Sequence, residues 1–383
     1  MDNDKEFLVF SWAYYDQLVW YARHYFPTAL AKSGRVLYCE KEPSIISFVK
    51  YKEEIRRLFT NHNKTREVGK NLYVYSPLPR IPLDRCISAI NTINKKKLAI
   101  EIRRELKKLS SHDITIVTFD FMAAPLITMI PHKASVYYCV DEILGYGMDI
   151  SSRKVIEVAE KELVSKVDLT IVVSDYLYEK HLPYARNIMK ITHGIDLNLF
   201  TKKLDSNDLK ELNGIQKPLI GFIGKISKNP LDIILLKRIL NERRNYQFVF
   251  VGPEYDGIVK ELSHYKNFYY VPTVPKEKVA SFIRAFDVCI IPYKMNSYVQ
   301  GMNSIKTIQY LSQGKPIVST NIPEAKKLVP MIKVANSTEH FMLLLDEAVS
   351  DKDVFMTKKR IEFAQSQSWE AKVQEFINKL REL

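Results

Sequence analysis

Phe286-Asp287-Val288-Cys289-Ile290-Ile291-Pro292-Tyr293 leads through Lys294 to Gln300 into Gly301-Met302-Asn303-Ser304-Ile305-Lys306-Thr307-Ile308-Gln309-Tyr310-Leu311-Ser312, then Gln313-Gly314-Lys315-Pro316-Ile317-Val318-Ser319-Thr320. The first apolar run is too short for a helix and reads as a buried strand over 288–292. A polar loop with one glycine follows. Ile305, Ile308 and Leu311 then recur at helical spacing over 304–312, and Gly-Lys-Pro ends that helix before a second apolar strand at 316–320. Asn303 or Ser304 is a natural N-cap. The first amides of such a helix point at the crevice beyond the preceding strand, where free N–H groups and the helix dipole favour a phosphate. Lys306 adds a positive charge in the first turn. A plain helix cap fits the same spacing.

The pattern extends in both directions. Apolar runs at 7–11, 35–39, 71–75, 114–118, 135–140 and 169–173 read as strands, as do 219–224 and 247–252. Stretches at 17–32, 84–109, 152–166, 231–243 and 276–285 carry helical spacing. Alternation of apolar strands with helices predicts parallel sheets covered on both faces. The polar stretch 201–217 interrupts the alternation and reads as a linker. Two doubly wound, Rossmann-like domains follow, 1–205 and 206–365. The tail from 351 to 383 reads as helical throughout, with Ser368 as N-cap before Trp369.

The chain has 383 residues, 46% apolar and 26% charged, which suits a globular protein with substantial cores. No window approaches the 18 or so uninterrupted apolar residues of a membrane span. The first residues are acidic where a secretory signal is basic and then apolar, so a cytoplasmic location is expected. Cys39, Cys86, Cys139 and Cys289 are spread along the chain without zinc or CxxC spacing, and the histidines, His181 among them, show no ligand spacing. All read as structural, and no metal site or cofactor is expected. Dinucleotide, P-loop, zinc-hydrolase and serine-hydrolase motifs are missing, and Asp-x-Asp occurs at Asp2 and Asp4 and at Asp351 and Asp353, none of them at the end of an apolar run.

The net charge of +13 is uneven: residues 50–108 hold 16 Lys and Arg against 6 Asp and Glu. This excess is interleaved with Ile55, Leu58, Phe59, Ile90, Ile93 and Leu98, and Lys95, Lys96 and Lys97 are expected on its surface. Such a region attracts phosphates, anionic lipid heads or nucleic acid, or is a solvated helix face. No nucleic-acid module accompanies it, so no nucleic-acid partner is expected.

Asp141 and Glu142 stand at the end of the 135–140 strand, where side chains face the crevice of a doubly wound fold. A helix N-cap for the following segment fits Asp141 at this position. Trp12, Tyr14, Tyr15 and Asp16 follow the first strand and suit either sugar stacking or packing.

The 286–320 run resembles the donor-nucleotide helix of GT-B glycosyltransferases, specifically the bacterial family-4-like enzymes of surface polysaccharide biosynthesis. It matches their pattern at Asp287, Pro292, Asn303, Lys306, Tyr310, Leu311, Gly314, Lys315 and Pro316. Residues 219–224 with Lys225 resemble the strand and turn that open the nucleotide domain. Val251-Gly252-Pro253 resembles its second strand end, and Val271-Pro272-Thr273-Val274-Pro275 the turn beside the base. Ile191-Thr192-His193-Gly194-Ile195-Asp196 with Phe200 resembles the family's motif at the end of the first domain. Two positions depart from the pattern. Gln309 stands where the family has the Glu that accepts from the ribose hydroxyls, and Gly301 where it has a partner Glu.

The resemblance implies two domains facing a central cleft, with 1–205 binding the acceptor, 206–365 binding a nucleotide sugar, and a helix at 366–383 returning to the first domain. It implies sugar transfer from a UDP- or GDP-sugar to a hydroxyl of a saccharide or lipid-linked saccharide, without metal or cofactor. Gly224, Lys225, Tyr293, Met302, Asn303, Ser304, Lys306 and Gln309 would bind the donor; Trp12, Tyr15 and Asp16 would bind the acceptor. Asp141 would be the base, as in related inverting transferases; retaining members have His there. Association with an anionic membrane surface is expected through 50–108. A catalytically inactive nucleotide-binding protein and a nucleotide-sugar epimerase are the competing expectations.

Overall fold

The computed structural model describes residues 5–44, 62–109, 113–146, 149–201 and 209–383. All ten apolar runs form strands within a residue or two of the expected limits. The reason is visible in their burial: Leu8, Val9, Val36, Val117, Val136 and Ile171 are fully or almost fully enclosed on both sheet faces, as are Ile220, Val249, Ile290 and Val318.

The first sheet contains β1 (Glu6–Phe10), β2 (Arg35–Cys39), β3 (Lys64–Gly69), β4 (Leu72–Ser76), β5 (Thr115–Thr118), β6 (Ala134–Cys139), β7 (Leu169–Val172) and β8 (Ile188–Lys190), in the order β3-β4-β2-β1-β5-β6-β7-β8. All pairs are parallel except β3 with β4. That antiparallel strand is a correction to the expected all-parallel sheet. Lys64–Gly69 is polar and lies half-exposed at the edge, and Asn71 turns the chain in the left-handed region at φ 61°.

The second sheet contains β9 (Leu219–Ile223), β10 (Gln247–Val251), β11 (Phe268–Val271), β12 (Val288–Ile291), β13 (Ile317–Thr320) and β14 (Lys333–Ala335). It is wholly parallel, in the order β11-β10-β9-β12-β13-β14. In both sheets the strand order reverses beside the first strand, at β1/β5 and β9/β12. Ligands of doubly wound folds bind beyond the carboxyl ends of the strands at such a switch point.

The chain divides into two compact units, Met1–Thr192 with Lys372–Leu383, and His193–Ala371. The expected join at 205/206 lies outside the described residues. In the first unit Phe376, from the last helix Trp369–Arg381, packs at 5.4 Å from Phe26 and 6.4 Å from Phe7. Each such buried aromatic contributes about 1.5–3 kcal/mol.

The tail is not helical throughout. Helices Val354–Ser366 and Trp369–Arg381 are separated because Ile195 N donates to the Gln367 carbonyl at 2.9 Å and Trp369 N to the Ile195 carbonyl at 3.1 Å. Ser368 Oγ accepts from Ala371 N, capping the second helix. The helix expected over 17–32 starts only at Ala22, since Tyr15 N is drawn to Glu40 Oε1 at 2.7 Å and Gln17 Nε2 donates to the Val19 carbonyl.

Candidate functional site

In the second unit the residues after β9 and β12 meet at the switch point. The backbone at Gly224 has φ +139°, and a Cβ there would lie 2.3 Å from Lys306 Cε. Only glycine lets the lysine stem lie across this strand end. Gly252, at the end of β10, has φ +141°, and a Cβ on it would meet the Gly224 carbonyl at 2.2 Å. The two glycines thus pack backbone on backbone. Lys306 Nζ sits 5.3 Å from the centre of the Tyr293 ring and 5.5 Å from that of Phe222, so both rings help hold its charge in place. Lys225 is exposed, with Nζ 5.1 Å from the Tyr255 ring centre.

Helix Ile305–Ser312 starts beside this lysine. Ser304 is its N-cap residue, yet the Ser304 hydroxyl makes no cap bond and is buried without a partner. Asn303 Oδ1 accepts from His193 N at 3.0 Å, which ties the loop to the start of this unit. Met302 and Gln309 are half-buried; Tyr293 is almost fully buried. Glu254, in the loop after β10, has a buried carboxylate oxygen without a partner. Spacing gave no signal for it. A cavity of about 220 Å³ adjoins this edge, lined by Tyr293, Lys294, Asn321 and the start of helix Thr338–Val349, but not by Lys306 or Asn303.

Other residues of the 286–320 run hold the fold. Lys315 Nζ donates to the carbonyls of Arg284 and Phe286, at the end of helix Lys276–Ala285, and burial lowers its pKa. Asp287 accepts from Leu219 N and from Lys217, and the Tyr310 hydroxyl accepts from Ile223 N at 2.8 Å. The Gly-Lys-Pro lysine therefore caps a helix, while the half-buried Lys306 lies across the end of β9.

In the first unit, Ser11 and Trp12 after β1 and Asp120, Phe121 and Met122 after β5 line a pocket of about 90 Å³ with Lys41, Glu42, Arg80, Asp84 and Arg85. Trp12 Nε1 is buried without a partner, and the Arg23 guanidinium lies 3.9 Å above the indole ring. Tyr15 packs against Tyr38 and Trp20, with its hydroxyl at Thr28 Oγ1, and Asp16 pairs with Arg66 at 2.6 Å. Of the three sequence candidates, Trp12 lines this pocket and Tyr15 and Asp16 do not.

Beneath the pocket, Lys95 is buried between Glu42 at 3.0 Å and Asp120 at 2.7 Å. Burial acts to lower the Lys95 pKa, but the two carboxylates outweigh it and hold the ammonium above its ordinary value. Likewise burial raises Asp120, and Lys95 more than reverses this. Sequence reasoning placed Lys95 on a basic surface. Its position is instead a correction, imposed by two carboxylates that follow β2 and β5. The rule that drew attention to Asp141, a carboxylate just past a strand end, also points to Glu42 and Asp120. Leu98 is buried too, while Ile55, Leu58 and Phe59 lie outside the described residues.

Asp141 is half-buried two residues after β6. Next to it, Glu142 Oε1 accepts from Leu144 N at 3.0 Å, and Asp149 caps helix Ile150–Lys166.

Residues 217–343 match the glycosyl transferases group 1 family. Over 184 residues the chain is 32% identical to the putative teichuronic acid biosynthesis glycosyltransferase TuaH of Bacillus subtilis (strain 168). That match spans about half of each protein, 46% of this chain and 46% of the relative. Among solved structures, sucrose-phosphate synthase from Thermosynechococcus elongatus superposes with a TM-score of 0.74 at 14% identity, covering 99% of this chain and 98% of that one. Anabaena HepE in complex with UDP and glucose superposes with a TM-score of 0.68 at 15% identity, covering 98% and 99%. The chain has the GT-B fold, and its residues 217–343 are similar to the glycosyl transferases group 1 family.

Proposed function

We propose that the protein transfers a sugar from a UDP- or GDP-sugar to a hydroxyl of a saccharide or lipid-linked saccharide. The observation that carries this reading is Lys306, laid across the bare Cα of Gly224 at the β9/β12 switch point, beside a buried unpartnered Ser304 hydroxyl. The name of TuaH and the UDP in the HepE complex support it. In this reading the second unit binds the donor. Lys225, Lys306 and the amides at Asn303–Ser304 stabilise the diphosphate as it leaves, the charge compensation a metal ion supplies elsewhere. Gln309 meets the ribose with a neutral acceptor, weaker than a carboxylate. The first unit binds the acceptor against Trp12. Asp141 takes the proton from the acceptor hydroxyl as its oxygen attacks the anomeric carbon.

Lys306→Ala should weaken binding of the cognate nucleoside diphosphate by about 1.5–3 kcal/mol, the range for hydrogen bonds to charged groups. Calorimetry with UDP and GDP measures it, and unchanged affinity rejects the assignment. Gln309→Glu should keep or strengthen binding.

The acceptor unit is expected at an anionic membrane surface. No helix among the described residues is long and apolar enough to cross a membrane. On helix Ser88–Lys108, however, Ile93, Lys96, Ile100, Arg103 and Lys107 recur at helical spacing and are exposed, Ile93 at 53% and Ile100 at 69%. Basic residues near such a surface contribute about 1 kcal/mol each, screened by salt. The protein should sediment with anionic vesicles at low salt and not with neutral ones. Reversing Lys96, Arg103 and Lys107 to Glu should abolish sedimentation while sparing nucleotide affinity. Failure of the unaltered protein to sediment makes the stripe a solvated face.

A further inference from the structure

Three buried side chains from distant parts of the first unit converge away from the pocket. Cys139 is the last residue of β6, Glu160 lies in helix Ile150–Lys166, and His181 ends helix Asp175–His181. Cys139 Sγ is 3.7 Å from His181 Nε2 and 3.8 Å from Glu160 Oε1, and the latter two atoms are 3.8 Å apart. None of these contacts is a short hydrogen bond. The centre of a tetrahedron built on such a triangle lies roughly 2.3 Å from each corner (the edge times 0.61), against Zn–S of about 2.3 Å and Zn–N and Zn–O of about 2.0–2.2 Å. We propose that Cys139, Glu160 and His181 form a zinc site, with water at the fourth corner of the tetrahedron.

The surroundings are those of a ligand set. Glu160 Oε1 accepts from the Tyr137 hydroxyl at 2.8 Å and Oε2 from Lys180 at 2.9 Å, so the carboxylate is oriented by outer partners, as ligating carboxylates are. Lys180 also donates to both oxygens of the buried Glu142 at 2.9 Å. Two carboxylates against one ammonium leave this enclosed cluster with one negative charge, which is costly. Zn²⁺ binding to the Cys139 thiolate removes it: the thiol proton goes to solvent, the S–Zn bond forms, and the net charge becomes zero. A thiolate, an imidazole and a carboxylate together suit zinc better than magnesium or calcium. Lys180, on the outer side of the cluster, has a side chain that is 24% exposed. The bound ion ties the end of β6 to two helices beneath Asp141, a structural role that does not depend on the glycosyltransferase reading.

The full chain, equilibrated with zinc and freed of loosely held metal, should retain one zinc per molecule by elemental analysis. Its thermal midpoint should rise with zinc, because the ion binds the folded state. Cys86→Ser, which removes the exposed cysteine, should retain the metal. Cys139→Ser and His181→Gln should each retain under a tenth of it. Cobalt bound in place of zinc should give a thiolate-to-cobalt charge-transfer band. That spectrum, taken on the unaltered protein, decides the matter if Cys139→Ser fails to fold. No retained zinc, a cobalt complex without the thiolate band, or a His181→Gln variant that keeps its metal each overturns the proposal.

Discussion

Asp141→Asn should lower sugar transfer by about 10²–10⁴-fold, the contribution of a positioned general base. The substitution keeps the shape of the side chain and removes its ability to take a proton. Asp141 follows the buried strand β6, half-exposed at the edge where the carboxyl ends of the strands lie. Beside it, Glu142 accepts from Leu144 N and Asp149 caps helix Ile150–Lys166. Affinity for the nucleoside diphosphate, which the other unit binds in this reading, should stay within twofold. Steady-state rates with a turned-over donor measure the first effect and calorimetry the second. Near-normal turnover removes Asp141 from the mechanism.

Lys95→Met should cost about 3–5 kcal/mol of stability, the loss when one partner of a buried ion pair is removed. It leaves Glu42 and Asp120 facing each other beneath the small pocket without their shared cation. Lys96→Met, one residue on and exposed, should change stability by no more than about 0.5 kcal/mol. Because Asp120 is held below its ordinary value in the folded protein, its contribution is present above the unfolded aspartate pKa and is lost as pH falls through the folded one. The gap between the two variants in urea midpoint should therefore narrow in acid. Equal midpoints at pH 7 contradict the burial of this triad.

The ten central strands were legible because fully buried parallel strands leave uninterrupted apolar runs such as Leu219–Ile223 and Val288–Ile291. Three of the four edge strands leave no such mark. Lys64–Gly69 is polar, and Ile188–Lys190 and Lys333–Ala335 have three residues each. The break at Gln367 depends on a backbone pairing with Ile195, far away in sequence. Within the second unit the spacing of the 286–320 run did not separate Lys306, which lies on Gly224, from Lys315, which caps a helix. In the first unit Glu42, Lys95 and Asp120 come from three separate elements, so no local spacing could have joined them. Cys139, Glu160 and His181 escaped the spacing rules for metal ligands for the same reason.

The most direct measurement is release of nucleoside diphosphate from a panel of UDP- and GDP-sugars, with and without saccharide and lipid-linked saccharide acceptors. Glycosyl transfer predicts that at least one nucleotide sugar is consumed, and that each diphosphate released is matched by a new glycosidic bond when acceptor is present. Binding without turnover for the whole panel would favour an inactive nucleotide-binding protein, and isomerisation of the sugar without diphosphate left in solution would favour an epimerase. Either result contradicts transfer.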